Sequence, residues 1–131
     1  MPNYSGKWKL PTVMQAEGAG TWPKPPGGQL WLWGIGRYGQ LGQGNLTGYS
    51  SPVQVGSLST WLNLDAGTEA TLTVTASGAA WSWGKGSAGV LGHGNTTTLS
   101  SPVQIGALTD WSEISAGNSG GPIGATKTDG T

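Results

Sequence analysis

The chain has 131 residues, enough for one ordinary domain with a modest core, and its formal net charge is zero. Its six cations are scattered and do not form the concentrated basic face that nucleic-acid binding uses. Cysteine is absent, which removes disulfides and thiolate metal ligands, and no apolar run suits a signal sequence or a membrane span. We therefore expect a soluble protein with no nucleic-acid or membrane partner.

Glycine, with 25 residues, and tryptophan, with 8, set the character of the chain. Each Gly inside a helix costs about 1 kcal/mol relative to Ala, so long helices are disfavoured. Short strands joined by tight turns suit this composition, because flat aromatic rings can then pack against exposed backbone. The composition predicts an all-β fold.

Residues 1–29 form an N-terminal arm that ends in a Pro- and Gly-rich linker. Within it, Pro11–Glu17 could form a short helix, with Pro at the first position and Gly18 just past the end. A floppy tail is the alternative, but disordered tails are poor in aromatic residues. We expect the arm to dock on another protein surface rather than fold back on the chain. Its candidate anchors are Tyr4, Trp8, Leu10, Val13, Met14 and Trp22.

The rest of the chain is a tandem repeat with an offset of 50 residues. Between positions 31 and 67, 20 of 37 residues are identical to the residue 50 positions later. The recurring segments are Trp31–Gly34 with Trp81–Gly84, Leu41–Asn45 with Leu91–Asn95, Ser50–Gly56 with Ser100–Gly106, Trp61 with Trp111, and Ala66-Gly67 with Ala116-Gly117.

Each copy predicts about four short strands. In the first copy they lie near Leu30–Trp33, Pro52–Val55, Trp61–Asp65 and Ala70–Thr75. The fourth strand of the second copy is interrupted by Gly120-Gly121-Pro122, so we expect it to be shorter, irregular or at a sheet edge. Four strands per repeat with periodic Gly and aromatic residues are typical of a β-propeller blade.

These motifs resemble the regulator of chromosome condensation repeat over residues 29–131. The resemblance implies propeller architecture, usually with seven blades. We therefore expect two tandem four-stranded blades, at 30–79 and 80–131, behind the arm. Two blades cannot close a propeller, and the chain stops where a third copy would begin. Three explanations stay open: a fragment of a longer protein, a ring completed by further copies, or open faces packed on a different partner.

Two motifs imitate catalytic or cofactor sites. Gly34-x-Gly36-x-x-Gly39 matches the dinucleotide fingerprint, but the following glycines exclude the helix that holds the pyrophosphate, so we assign it to the scaffold. The segment 117–122 resembles the nucleophile loop of trypsin-like serine proteases. His93, Asp110 and Ser119 follow in triad order, but they are too close in sequence for the two barrels that hold such groups. A single histidine and dispersed carboxylates predict no metal site, and we expect no enzyme activity, cofactor or small-molecule substrate.

The recurring tryptophans have two interpretations. Trp31 and Trp33 lie on one face of their strand and could form an aromatic ridge that binds sugars. Recurrence in register favours core packing between blade layers instead, with one member of each set left for recognition.

The leading functional hypothesis is a non-enzymatic structural or decoration protein of a tailed bacteriophage particle, in its capsid or tail. The aromatic arm followed by Gly/Ser/Thr-rich, weakly charged repeats looks like virion-associated proteins of such phages. The expected location is the virion, assembled in the host cytoplasm, and the expected partners are capsid or tail proteins and further copies of the chain.

Two alternatives remain. One is a host-surface, protein or glycan recognition module. The other, weaker, is the guanine-nucleotide-exchange or chromatin role of the family's founding member. Recognition would use the loops at 44–50 and 94–100, with Thr47, Tyr49, Thr96, Thr97 and Thr98 as candidate contacts.

Overall fold

The computed structural model describes residues 27–129, so the anchors and the short helix of the arm, which fall in residues 1–26, lie outside them. The described residues form eight strands and one short 3-10 turn, and no α-helix. The all-β class is confirmed. The strands are β1 (Trp31–Gly34), β2 (Tyr49–Gln54), β3 (Trp61–Ala66), β4 (Ala70–Thr75), β5 (Ala80–Gly84), β6 (Leu99–Gln104), β7 (Trp111–Ala116) and β8 (Ile123–Lys127).

Each sequence repeat supplies four strands, as predicted, and equivalent strands pair in the same way. The β3–β4 and β7–β8 hairpins share one register: Ala66 lies opposite Thr71, and Ala116 lies opposite Ile123. Both hairpins also carry an irregularity just after their first residue, Trp61 or Trp111. Strand β8 has five residues where β4 has six, and within residues 27–129 it lies at a sheet edge, as expected after the Gly-Gly-Pro interruption.

The sheets are shifted by half a repeat relative to the sequence. Strands β3, β4, β5 and β6 form one four-stranded antiparallel sheet in that order. The complete blade therefore joins the second half of the first repeat to the first half of the second. Strands β1 and β2 form a two-stranded sheet before it, and β7 and β8 form another after it.

The core lies between neighbouring sheets. One buried cluster joins the first sheet to the blade through Leu32, Leu41, Val55, Trp61 and Trp83. A second joins the blade to the last sheet through Ala70, Leu72 and Leu91, with half-buried residues of β7 and β8 packed against it. Each sheet is thus stabilised by the apolar face of the next one, as expected of stacked β layers.

The fingerprint glycines belong to this scaffold. A Cβ atom built on Gly36 would lie 2.0 Å from the carbonyl oxygen of Thr47, and one on Gly86 would lie 2.0 Å from that of Thr97. Glycine therefore allows the loop after the first strand of each repeat to cross the loop before the second strand.

Candidate functional site

The contact that joins the two repeats is built around Trp83. Its indole is fully buried, and its Nε1–H donates to the backbone carbonyl of Gln40 at 2.8 Å. The hydroxyl of Thr71 donates to the same carbonyl, also at 2.8 Å. Gly42 leaves room for the ring: a Cβ atom there would lie 2.9 Å from Trp83 Nε1 and 3.0 Å from Val55 Cγ1. We call the site formed by Gln40, Gly42 and Val55 the tryptophan seat.

Trp61 completes this contact from the side. Its ring lies 5.8 Å from that of Trp81 in an edge-to-face arrangement and 6.0 Å from that of Trp83 at a tilt. Such geometries suit the ring quadrupoles, so the tryptophans of β3 and β5 stabilise one another beyond the area they bury, although β4 lies between the two strands. The predicted core role of the recurring tryptophans holds for Trp61 and Trp83.

The equivalent tryptophans of the first repeat are exposed. Trp33 is 59% exposed, while its counterpart Trp83 is 0% exposed, and Trp31 is 45% exposed. Leu32, between them, is buried, so Trp31 and Trp33 do share one face of β1. Ile35, which follows the end of β1, lines the same open cavity as Trp33 and is 66% exposed. We call Trp31, Trp33 and Ile35 the aromatic face, which is a candidate interaction site because it is an exposed apolar patch.

The second repeat carries an open equivalent of the tryptophan seat. Gly92 and Ile105 occupy the places of Gly42 and Val55, and Val90 that of Gln40. The three residues of the first seat are buried, whereas Gly92 is exposed and Val90 and Ile105 are half-buried. A cavity of about 300 Å³ lies here, bounded by these residues and by the segment 120–123 before β8. The two repeats therefore expose different surfaces. The first repeat exposes the indoles of Trp31 and Trp33, and the second exposes the cavity beside Gly92.

The residues of the protease look-alike have separate partners. His93 Nε2 lies 2.9 Å from the hydroxyl of the buried Ser82, which also approaches the carbonyl of Leu91 at 2.6 Å. Asp110 pairs with Lys127 at 3.4 Å. The backbone N–H of Ser119 donates to Thr68 Oγ1 at 3.1 Å. Sequence reasoning missed the Ser82–His93 pair, because Leu32 and Gln43 stand in its place in the first repeat.

Gln43 shows that this position has a structural role. Its side-chain amide donates to the carbonyls of Leu41 and Gln54, holding the loop to the end of β2. In the second repeat, His93 instead connects the equivalent loop to β5 through the hydroxyl of Ser82. No group of three His, Cys, Asp or Glu residues in the described part of the chain is arranged to hold a metal ion.

The charged residues near the aromatic face stabilise the blade. Lys85 Nζ lies 2.9 Å from Glu69 Oε1, and the backbone N–H of Lys85 donates to the carbonyl of Glu69. The hydrogen bond to Glu69 raises the pKa of Lys85 above its ordinary value. Lys85 also lies 4.8 Å from the ring centre of Tyr38. This cation is engaged within the chain, at the point where β4 begins and β5 ends.

The candidate recognition loops share one local structure. The backbone N–H of Thr47 donates to Asn45 Oδ1 at 3.0 Å, and that of Thr97 donates to Asn95 Oδ1 at the same distance. These turns fix the loop backbone while the threonine side chains stay exposed.

Two of the five candidate contacts are tied into the scaffold. The hydroxyl of Tyr49 accepts a hydrogen bond from the amide of Asn45 at 3.0 Å, and that of Thr98 accepts one from the backbone N–H of Gly86 at 3.3 Å. Thr47, Thr96 and Thr97 are exposed and remain the candidate contacts.

The strand pattern, the half-repeat shift and the tryptophan seat define the chain as a tandem-repeat protein of the β-propeller type. The model of the regulator of chromosome condensation (RCC1) repeat matches residues 27–74 and 77–120. The chain belongs to this repeat family.

Among solved structures, the crystal structure of human WBSCR16 is similar, with a TM-score of 0.68 and 20% sequence identity. The similarity covers 80% of this chain but 27% of that one, so this chain spans about a quarter of the relative's length and shares its fold. No curated protein matches the sequence. In the part of the chain that the structure describes, no helix is long and apolar enough to cross a membrane.

The unequal burial of equivalent tryptophans predicts unequal effects on stability. Trp83→Ala should lower the free energy of unfolding by about 3–5 kcal/mol, because it empties a buried site. Trp33→Ala should cost about 0.5 kcal/mol or less in the dilute chain. Urea unfolding at low protein concentration measures both, and Trp83→Phe provides a milder variant if Trp83→Ala does not fold. Equal costs at the two positions would contradict the assignment of Trp33 to an open face.

Proposed function

We propose that this chain is a non-enzymatic structural or decoration protein of a phage particle, in its capsid or tail. Residues 1–29 attach it to the particle, and the blade repeats are presented from there. The observation that carries the proposal is the aromatic face: Trp33 is 59% exposed where the same fold fully buries Trp83. A surface built from residues that the fold otherwise uses as core belongs to an assembly.

Composition and charge support assembly by apolar contacts. Charged residues are 9% of the chain, and the described ion pairs, Lys85 with Glu69 and Lys127 with Asp110, neutralise cations within the fold. A surface of this kind suits protein partners better than a phosphate backbone, because phosphate contacts need unpaired cations. Capsid or tail proteins and further copies of the chain are the proposed partners.

The phage context rests on the organisation of the chain. An arm rich in aromatic residues comes before weakly charged repeats rich in Gly, Ser and Thr. Aromatic side chains are strong anchors at interfaces, because they bury large areas at low entropic cost. Within the proposal the arm selects the particle, and the repeats form its outer layer.

Deleting residues 1–26 leaves the backbone pair of Gly28 with Trp61 in place, and it should remove the chain from purified phage particles while the repeats still fold. Trp8→Ala combined with Trp22→Ala should act in the same direction, because it removes two aromatic anchors. Mass spectrometry of gradient-purified particles measures incorporation, and Thr96→Ala with Thr97→Ala is the matched control that should be incorporated normally. Absence of the unaltered chain from particles would contradict the proposal, and full incorporation without the arm would contradict the role of the arm.

A second candidate function, recognition of a host protein or glycan, is favoured by the paired loops. Asn45 and Asn95 fix the backbone of both loops in the same turn and leave adjacent threonines exposed. A fixed polar loop loses little conformational entropy on binding, which suits it to display.

Replacing Thr47, Thr96 and Thr97 together by Ala should abolish host adhesion if this candidate is right, with particle incorporation unchanged. Thr98 is left unaltered, because its hydroxyl accepts the hydrogen bond from Gly86. Adsorption of particles to host cells measures the effect, and Ser57→Ala, on an exposed residue outside both loops, is the control. Unchanged adsorption of the triple variant would refute the recognition function.

A further inference from the structure

In residues 27–129, strands β1 and β8 each lack a partner that the equivalent strand has in the central blade. Strand β1 pairs with β2 alone, and β8 pairs with β7 alone. In the central blade the equivalent strands, β5 and β4, pair with each other as well. The strand that β1 lacks is therefore the equivalent of β4, and the strand that β8 lacks is the equivalent of β5. Exposed edges of this kind are templates for pairing with another chain.

The pairing inside the blade sets the register that these free edges would adopt. Thr71 lies opposite Trp83, Leu72 opposite Ser82, and Thr73 opposite Trp81. The β7–β8 hairpin aligns its residues with those of β3–β4 one for one. Transferred to the free edges, this register places Ile123 opposite Trp33, Gly124 opposite Leu32, and Ala125 opposite Trp31.

Pairing in this register also places the aromatic face of one chain against the open seat of another. Within the chain, Trp83 reaches from β5 onto Gly42 and Val55 of the preceding repeat. By the same geometry, Trp33 paired at β8 reaches the cavity beside Gly92 and Ile105. A Cβ atom on Gly92 would approach only Ile105, at 3.3 Å, whereas one on Gly42 also meets the indole of Trp83.

We propose that the open seat of one copy receives Trp33 of a second copy of this chain, with β8 of the first copy paired antiparallel to β1 of the second. The indole Nε1–H of Trp33 then donates to the carbonyl of Val90, as Trp83 donates to Gln40. This inference rests on the proposed assembly role and names its contact. The two half-sheets join into a four-stranded blade, which residues 27–129 of one copy do not form at either end.

A second copy is the occupant because the two surfaces are complementary and come from the same fold. The interface inside the chain shows what covers an aromatic face of this type: the loop and strand end of a neighbouring repeat. The first repeat carries the face and the second carries the seat, so one molecule supplies both halves of the contact to different neighbours. Such a head-to-tail interface continues from copy to copy, either into a closed ring or into a filament.

The interface between copies is more apolar than the interface inside the chain. Ile123 occupies the place of Thr71, whose hydroxyl donates to the Gln40 carbonyl. Trp33 is then the side-chain donor for the Val90 carbonyl, and Ile123 adds to the apolar cluster around Leu91. Trp33 should therefore be the dominant residue of the contact.

Cysteine cross-linking tests the register, since the chain has no native cysteine. Equimolar Trp31→Cys and Ala125→Cys chains, mixed and oxidised, should form a disulfide-linked dimer, because directly opposed residues approach within disulfide range. Trp31→Cys mixed with Thr126→Cys is the control, and it should cross-link poorly, because residue 126 points to the other side of the strand. Folding of each variant is checked by circular dichroism.

Sedimentation of the full-length chain tests the seat. Trp33→Ala should raise the dissociation constant of self-association about thirty-fold or more, as expected for a central aromatic anchor. Leu46→Ala, at a residue with 60% exposure against 59% for Trp33, is the matched control and should leave the constant unchanged.

Three results would overturn the inference. The first is a dimer linked through residue 31 of both copies, and the second is equal cross-linking at residues 125 and 126. The third is a chain that stays monomeric at every concentration up to the millimolar, which is the result expected where residues 1–26 cover the aromatic face. A chain that stays monomeric yet enters phage particles overturns only this inference and leaves the proposed function intact. A chain that assembles through residues 31 and 125 but is absent from particles overturns the proposed function alone.

Discussion

The burial of a tryptophan from one repeat on the backbone of the preceding repeat is the interaction on which the rest of the structure depends. A single blade has two broad faces, and short strands with little charge cannot cover them with their own side chains. The indole of Trp83 fits over Gly42, where a Cβ atom would collide with it, and its N–H satisfies the Gln40 carbonyl. A buried carbonyl without a donor is costly, and this one accepts from both Thr71 and Trp83, so the indole contributes a hydrogen bond as well as packing.

This dependence makes each repeat an incomplete unit. The stability of stacked repeats is a sum of intrinsic terms and contacts between neighbours, and the outermost repeats lack one neighbour. In this chain the first repeat presents Trp31, Trp33 and Ile35, and the second presents the hollow at Gly92. The proposed assembly role uses these two surfaces, because both make the repeat pair part of a larger assembly.

The fold could be predicted from sequence because the repeat is direct. Identity at an offset of 50 located the four strands of each copy, and the Gly-Gly-Pro interruption predicted the short edge strand β8. The half-repeat shift of the sheets was not predicted, because strand spacing alone does not say which strands pair. The blade at residues 61–104 emerges from the β4–β5 and β5–β6 pairings.

The candidate site was less predictable, for a physical reason. Trp33 and Trp83 stand in nearly the same local sequence, yet one is exposed and the other is buried. Burial here is decided by the neighbouring repeat and not by the strand that carries the residue. The pairing of Ser82 with His93 escaped notice for a related reason: it replaces a leucine and a glutamine, so comparison of the repeats gave no signal.

The central claim is that the free edges of β1 and β8 meet in the working assembly. Amide hydrogen exchange of the unaltered chain at increasing concentration tests it directly. The account predicts that protection rises in Trp31–Gly34 and Ile123–Lys127 together, while the loops at 44–50 and 94–100 keep exchanging at one rate. Protection that stays constant at both strands over the whole range, or that rises at one strand alone, would contradict it.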